Sequence, residues 1–293
     1  MKTITAAVCT LDREDLLRRC LDALLSQEQL EAEDYTVLVV DNSAEHDARP
    51  MLEAIAAREP RLHFRHEPRK GVYTARNSAL EFAQERDADV LLFTDDDCVA
   101  PPNWVRAGVD EPERLEAVFV SGIARSTETL PEVLTPVEIA DHKPAAMGAT
   151  GCIALDARIA TEFRFDDRYN RSGGGDKQFT LRLTAAGHQG YTLKDWYVLH
   201  LDERSDFRTR VRKFQPGPAA RFGYFIELGF PGRAIGYLIG AVRWPFLALG
   251  FGFLALLPAG KTFRSKALLK TSKYLGKTIG LWRLVRGQKT DYF

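Results

Sequence analysis

Three consecutive aspartates, Asp95-Asp96-Asp97, close the apolar run Val90-Leu91-Leu92-Phe93. Carboxylates a few ångströms apart repel, and some are driven to protonate unless a cation neutralises them. Hard oxygen ligands held together in this way suit Mg²⁺ or Mn²⁺, ions that also grip phosphate oxygens. A solvated acidic turn is the other reading of the same residues. The strand that precedes them favours a site, because the carboxyl ends of strands are where open α/β sheets bind ligands.

Several elements must position such a loop. Ile4–Cys9 reads as a strand. Leu17, Leu21, Leu24 and Leu25 fall at helical spacing after it, with Asp12 as the expected N-cap. Tyr35–Val40 is an apolar run of the kind found in a parallel strand covered on both faces. Pro50–Arg58 reads as helix, Leu62–His66 as strand, Tyr73–Gln84 as helix and Val90–Phe93 as strand again. This alternation predicts a Rossmann-like, mostly parallel sheet flanked by helices. No GxGxxG follows the first strand, so the dinucleotide fingerprint is missing. Further on, Val118–Ile123 and Gly151–Leu155 read as strands and Phe179–Ala186 as a helix.

Composition bounds the rest. The 293 residues suffice for one large or two small domains. The net charge of zero hides a division. Residues 1–205 hold 24 basic and 37 acidic side chains, whereas 206–293 hold 16 basic and 3 acidic. An acidic body with a basic tail points to a tail that meets an anionic surface. Cys9, Cys20, Cys98 and Cys152 are widely spaced, which fits reduced core thiols in a cytosolic compartment better than a disulfide framework or a zinc site. Met1-Lys2 leads straight into the first strand-like run, so no secretory leader is expected.

The tail has its own pattern. Ala234–Leu257 carries a single charge, Arg243, and an internal proline, Pro245. Its length would cross a bilayer. Both flanks are basic, however, and a single span would leave one of them outside, against the positive-inside rule. A re-entrant or in-plane segment keeps both flanks cytoplasmic. A spanning helix or buried soluble helices are the other arrangements. Beyond it, Leu268, Leu275, Ile279 and Trp282 fall on one side of a helix, and Lys266, Lys270, Lys273 and Lys277 on the opposite side. Such a helix either lies on anionic lipid or packs on its own domain. The expected organisation is a catalytic domain over 1–205 and a basic, apolar helical region for membrane association over 206–293.

Five motifs in order carry a resemblance. They are Val8-Cys9-Thr10-Leu11-Asp12-Arg13, Val39-Val40-Asp41-Asn42-Ser43, Gly71-Val72-Tyr73-Thr74-Ala75-Arg76-Asn77, Phe93-Thr94-Asp95-Asp96-Asp97, and Gly173-Gly174-Gly175-Asp176 before Leu181-Arg182-Leu183. The chain resembles family 2 of the inverting glycosyltransferases, with the GT-A fold, over about residues 1–205. With His200 and Glu203-Arg204 following, it looks nearest to the bacterial exopolysaccharide branch.

The resemblance implies roles. Thr10, Asp12, Asp41, Arg76 and Asp95 would hold the nucleotide donor, Asp41 by accepting from a uracil N–H. Asp97, with Asp95 and His200, would hold Mn²⁺ or Mg²⁺, and Asp96 is the variable middle position. Asp176 would be the catalytic base; as a bare helix N-cap it would not be. The family usually has Glu where this chain has Gly175, which puts acceptor binding or activity in question. Gly148, Thr150 and Gly151 resemble the acceptor loop, and Trp104 either stacks on the acceptor sugar or packs in the core. The Gln-x-x-Arg-Trp motif of processive synthases is missing, which favours one sugar per acceptor.

The reading expected from sequence is therefore a metal-dependent inverting glycosyltransferase at the cytoplasmic face of the cell membrane. It would move a sugar, UDP-linked, to a lipid-linked oligosaccharide or other polysaccharide precursor, with no nucleic-acid partner. A sugar nucleotidyltransferase on the same fold, or a non-catalytic membrane-bound nucleotide-sugar binder, are the alternatives.

Overall fold

The computed structural model describes residues 1–46, 48–170, 173–201, 207–214, 217–256 and 261–286. The chain divides into two compact units, 1–167 with 175–202, and 168–174 with 203–293. The short segment 168–174 thus departs from the boundary expected at 205.

In the first unit, β1 (Thr3–Thr10), β2 (Asp34–Asp41), β3 (Leu62–His66) and β4 (Val90–Asp95) are parallel and lie in the order β3-β2-β1-β4. The helices α1 (Glu14–Leu25), α2 (Arg49–Ala56) and α3 (Val72–Glu85) are the crossovers. Parallel strands need such covered faces, which is why β2 is buried along nearly its whole length. Leu17, Leu21 and Leu24 of α1 are fully buried, each contributing roughly 1.5–3 kcal/mol of apolar transfer. The expected cap of α1 is corrected. Arg13 holds the N-cap position, with no side-chain cap, and Asp12 is exposed in the left-handed region at φ 55°. The turn out of β1 therefore ends one residue later than Asp12 would have set it.

The sheet then changes character. The next elements are β5 (Cys98–Val99), α4 (Trp104–Arg114), β6 (Phe119–Thr127), β7 (His142–Pro144), β8 (Cys152–Asp156), α5 (Gly175–Ala185) and β9 (Gly190–Leu201). β8 pairs antiparallel with β4, and β6 antiparallel with β8. β9 runs parallel to β6 and antiparallel to β5 and β7. The sheet is thus parallel in its first half and mixed in its second. Trp104 and Trp196 stack at 5.2 Å in the core beside β8.

The second unit is helical: α6 (Phe207–Phe214), α7 (Gly217–Glu227), α8 (Pro231–Ala241), α9 (Trp244–Leu256) and α10 (Lys261–Val285). The Arg168–Glu227 ion pair and the Tyr169–Tyr224 ring contact tie its short segment to α7. Pro231–Leu256 is long and apolar enough to cross a membrane by length and composition. It is interrupted by a turn at Val242–Arg243, just before Pro245, whose ring cannot accept an unbroken helix. Ala234, Ala241, Trp244, Ala248 and Ala255 are buried. Ile235, Ile239, Val242, Phe246, Leu249, Phe253 and Leu256 are exposed, at alternating spacings of three and four residues. That spacing keeps the exposed side chains of each helix on one face.

The expected split of α10 is corrected in part. Lys270 lies over the Phe251 ring at 4.8 Å and Lys277 over Trp244 at 5.2 Å, so two of the lysines cover α9. Leu268 and Trp282 are exposed, while small residues, Ala267, Ser272, Gly276 and Gly280, form the buried seam. Small side chains let helices approach closely, and that contact outweighs the simple two-faced pattern.

Candidate active site

The aspartates sit between the end of β4 and the start of β5, beside the end of β9. β4 delivers Asp95, a tight turn follows, and β5 starts at Cys98. The antiparallel register pairs Cys98 with His200, and the Leu201 amide donates to the Asp97 carbonyl at 2.8 Å. Residues about a hundred positions apart are thereby fixed by backbone. His200 Nε2 lies 3.4 Å from Asp97 Oδ2.

The three carboxylates live in different surroundings. Asp96 is buried, accepts from Thr10 Oγ1 at 2.8 Å and meets Arg13 Nη1 at 3.3 Å. Burial pushes it up to about 6, against the Thr10 hydrogen bond and the Arg13 charge. Burial would also raise Asp97, but His200, by hydrogen bond and charge, and Arg13 outweigh it and hold that carboxyl below its ordinary range. Arg13 Nη1 is 2.9 Å from Asp97 Oδ2. Asp95 is the most open of the three, and its Oδ1 accepts from Arg76 Nη2 at 3.1 Å.

Arg76 links this loop to the candidate base. Its guanidinium is buried and lies over the Tyr73 ring at 5.4 Å. Burial would lower Arg76, but the charges of Asp95, Cys9, Tyr73 and Asp176 hold it above its usual value. Tyr73 Oη accepts from the Gly175 amide at 2.8 Å. Burial and the nearby Asp176 carboxylate push the phenol up to about 12. Asp176 is half-buried in the first turn of α5, where its Oδ1 accepts from the Lys177 amide at 2.9 Å. The two residues before the helix, Gly173 and Gly174, take φ 69° and 87°, a conformation open to glycine. The position where the family usually has Glu is a buried glycine whose amide is spent on Tyr73.

The residues fit a divalent cation. Asp95, Asp97 and Cys98 bring potential ligand atoms within 4.8 Å of one another. Burial holds the Cys98 thiol far above its usual range, so the carboxylates are the donors a hard ion would use. A Cβ on Gly151 would come 2.9 Å from Asp95 Oδ2, so the glycine keeps that oxygen accessible. Oxygen donors with one imidazole suit Mn²⁺.

Other expected residues are placed differently. Trp104 is fully buried against Trp196 and donates to Cys152 Sγ at 3.3 Å, so it is a core residue and offers no face to a sugar. Gly148 and Thr150 are buried, Gly148 packing on Ser121 and Ile153, and neither opens to an acceptor. Gly151 borders Asp95 instead. Thr10 is spent on Asp96. Asp41 is fully buried, accepting from the Ser43 and Ala48 amides at 2.9 and 3.3 Å, with His46 Nε2 3.8 Å away. Asn42 ties the same loop to the Glu67 and Arg69 carbonyls. Glu203 and Arg204 lie outside the described residues.

Sequence reasoning missed Arg13, Tyr73 and the burial of Asp96. Arg13 stands three residues beyond Thr10 within a quoted motif, so its position carried a signal. Tyr73 also stands in one of the five motifs, three residues before Arg76, but its bond to Gly175, 102 residues along the chain, leaves no local pattern.

Residues 5–150 match the family described as Glycosyl transferase family 2. The succinoglycan biosynthesis protein ExoM of Rhizobium meliloti (strain 1021) is 29% identical over 197 residues, which is 63% of this chain and 62% of that protein. The chain spans less than two thirds of the length of the curated relatives it matches. Among solved structures, the mannosyltransferase PcManGT from Pyrobaculum calidifontis, in complex with GDP-Man and Mn²⁺, superimposes with a TM-score of 0.63 at 18% identity, covering 96% of this chain and 87% of that one. GalNAc-T7 with UDP, GalNAc and Mn²⁺ gives 0.59 at 13%, covering 99% and 58%. At these identities the likeness is one of fold. The motif order, the mixed sheet with its acidic strand end, and the family match together identify residues 5–150 as a Glycosyl transferase family 2 domain, on a GT-A-like fold.

Proposed function

We propose that the enzyme is a metal-dependent, inverting transferase that moves one sugar from a UDP-sugar to a lipid-linked oligosaccharide or similar precursor at the cytoplasmic face of the membrane. The observation that carries this reading is the close pair Asp95 and Asp97, with His200 beside Asp97 and with Asp95 joined through Arg76 and Tyr73 to the turn that presents Asp176.

Asp97, Asp95 and His200 would hold Mn²⁺ or Mg²⁺. When bound, that ion neutralises the charge that develops on the departing diphosphate. Arg76 fixes the Asp95 carboxylate through Oδ1, leaving Oδ2 on the side that Gly151 keeps open. Asp176 accepts the proton of the acceptor hydroxyl as its oxygen attacks the anomeric carbon from the face opposite the diphosphate, and a single displacement inverts that carbon. Contact of Thr10 or Asp41 with the donor base requires them to share or exchange the bonds they make inside the protein. The UDP assignment rests on Asp41; one fold neighbour was solved with GDP-Man and another with UDP.

The membrane part of the reading rests on the exposed stripe of α8 and α9 and on the basic excess of residues 206–293. Arg243 is exposed near the middle of that run, where a span would carry it to the bilayer centre. An in-plane helix lets the guanidinium stay at the headgroups.

Two measurements test the proposal. A thermal-shift screen of nucleotide sugars with and without Mn²⁺ should give its largest stabilisation with a UDP-sugar and Mn²⁺ together. Asp176→Asn keeps shape but cannot take a proton, and turnover should fall by roughly 10²–10⁴ with donor affinity little changed. Normal turnover by that variant would place the base elsewhere.

A further inference from the structure

We propose that Arg13 is the resident counter-ion of the aspartate loop, competing with the divalent cation for Asp97 and passing to the donor diphosphate once the cation is seated. The inference rests on the metal-and-nucleotide reading above. Arg13 Nη1 is within 2.9 Å of Asp97 Oδ2 and 3.3 Å of Asp96 Oδ1. Asp97 Oδ2 is the same oxygen that faces His200 Nε2 at 3.4 Å. Arginine and cation thus claim one carboxylate oxygen. A guanidinium pointed at a carboxylate and a dication beside it repel, so seating one displaces the other.

The geometry allows the exchange. The Arg13 side chain is 42% exposed, whereas those of Asp96 and Asp97 are 7% and 13% exposed. The acidic partners are fixed and the arginine reaches in from the rim. Arg13 sits at the N-cap of α1, after Asp12 at φ 55°, so its side chain swings from the mouth of the site without disturbing the helix behind it. A planar fork released beside a bound diphosphate finds a second pair of oxygens, the recognition to which guanidinium is suited. Asp96 keeps its Thr10 hydrogen bond throughout, so the loop stays in place.

The alternative is that Arg13 only ties α1 to the loop. The two roles predict different signs. Arg13→Gln removes the competing charge, so Mn²⁺ alone, followed by loss of the free-ion electron paramagnetic resonance signal, should bind roughly tenfold more tightly, the equivalent of one charge-assisted hydrogen bond. The same variant at saturating Mn²⁺ should bind UDP roughly tenfold more weakly by calorimetry. Arg13→Lys retains a point charge without the fork and should fall between the two in both titrations. Affinities for Mn²⁺ and UDP that fall together, or that do not move, overturn the proposal in favour of a structural tie. Wild-type protein that binds Mn²⁺ but no UDP would sink the donor reading instead, and the Mn²⁺ titration of the variant would still decide whether Arg13 competes.

Discussion

In the turn from the end of β4 to the start of β5, acidic groups meet cations from the same fold: Asp95 meets Arg76, Asp96 meets Arg13, and Asp97 meets both Arg13 and His200. Among the described residues beyond 207, cations lie over aromatic rings. Arg221 covers Tyr237, Arg233 covers Phe230, Lys270 covers Phe251, Lys277 covers Trp244 and Arg286 covers Trp282. The first region is nearly closed on itself, and a dication is what its chemistry still accommodates. The second leaves Ile235, Ile239, Phe246, Leu249 and Phe253 facing outward, the stripe on which the proposed membrane association rests. A cation held on a ring beside such a stripe suits a boundary between lipid and water, where one end of each group is wet. The contrast is what the proposed membrane association predicts, and it can be broken from either side.

The largest expected effect is at the aspartates. Asp97→Ala removes the oxygen that His200 and Arg13 share, and Mn²⁺-dependent binding of UDP should drop below detection while thermal unfolding stays cooperative. Full transfer activity in excess EDTA would show that the loop is an ion-pair network and nothing more.

Next comes the stripe. Phe246, Leu249 and Phe253 are each well over half exposed. Burial in lipid is worth roughly 1.5–3 kcal/mol per side chain, so changing all three to Ser should lower partitioning into anionic liposomes by a factor on the order of 10³ or more. Binding of soluble UDP should be unchanged. Reversing Lys266, Lys270, Lys273 and Lys277 to Glu should have a smaller, salt-dependent effect, about 1 kcal/mol per lysine that reaches the surface. Wild-type protein that stays monodisperse without detergent and ignores the liposomes would turn the stripe into a contact between protein copies.

A third test stays within the first unit. Trp104→Ala should cost roughly 3–5 kcal/mol of stability, because the ring fills the space beside Trp196. A variant that keeps its denaturation midpoint but loses acceptor affinity would restore the sugar-stacking role that burial argues against.

The limits of the sequence are visible in the same residues. Period and composition located the four parallel strands because each is a local apolar run between turn signals. His200 was legible only through the family likeness, since its neighbour Asp97 comes from a register between strands far apart in the chain. The triple aspartate announced the site but not its division of labour. Burial of Asp96, which spends it on Thr10, depends on packing that no local pattern encodes. For the same reason sequence alone leaves Trp104 between sugar stacking and core packing, and takes the buried Gly148 for part of an acceptor loop. A tryptophan after a turn and a glycine in a loop look alike whether they face a substrate or a core. In the tail, helical angles set the lysines apart from the apolar residues but could not foresee α9, whose rings two of them cover.

The smallest effect gives a probe that separates the two units. All four cysteines lie in the first unit and none in the second. Burial pushes the Cys9 and Cys152 thiols up to about 12 and holds Cys20 and Cys98 well above their usual values. A raised thiol pKa leaves the folded protein with almost no thiolate at pH 8, whereas the unfolded chain, with thiols near 8.5, carries an appreciable fraction. Alkylation at pH 8 should therefore be slow in the native protein and become fast only when the first unit opens. Trp244 and Trp282 report on the second unit. Adding detergent micelles should change the fluorescence of these two tryptophans, with Trp104 and Trp196 replaced by Phe in a variant shown to fold, and leave the alkylation rate where it was. If detergent accelerates labelling, the first unit depends on the second for its stability. The proposed division into a catalytic body and a membrane-associating tail would then have to be redrawn.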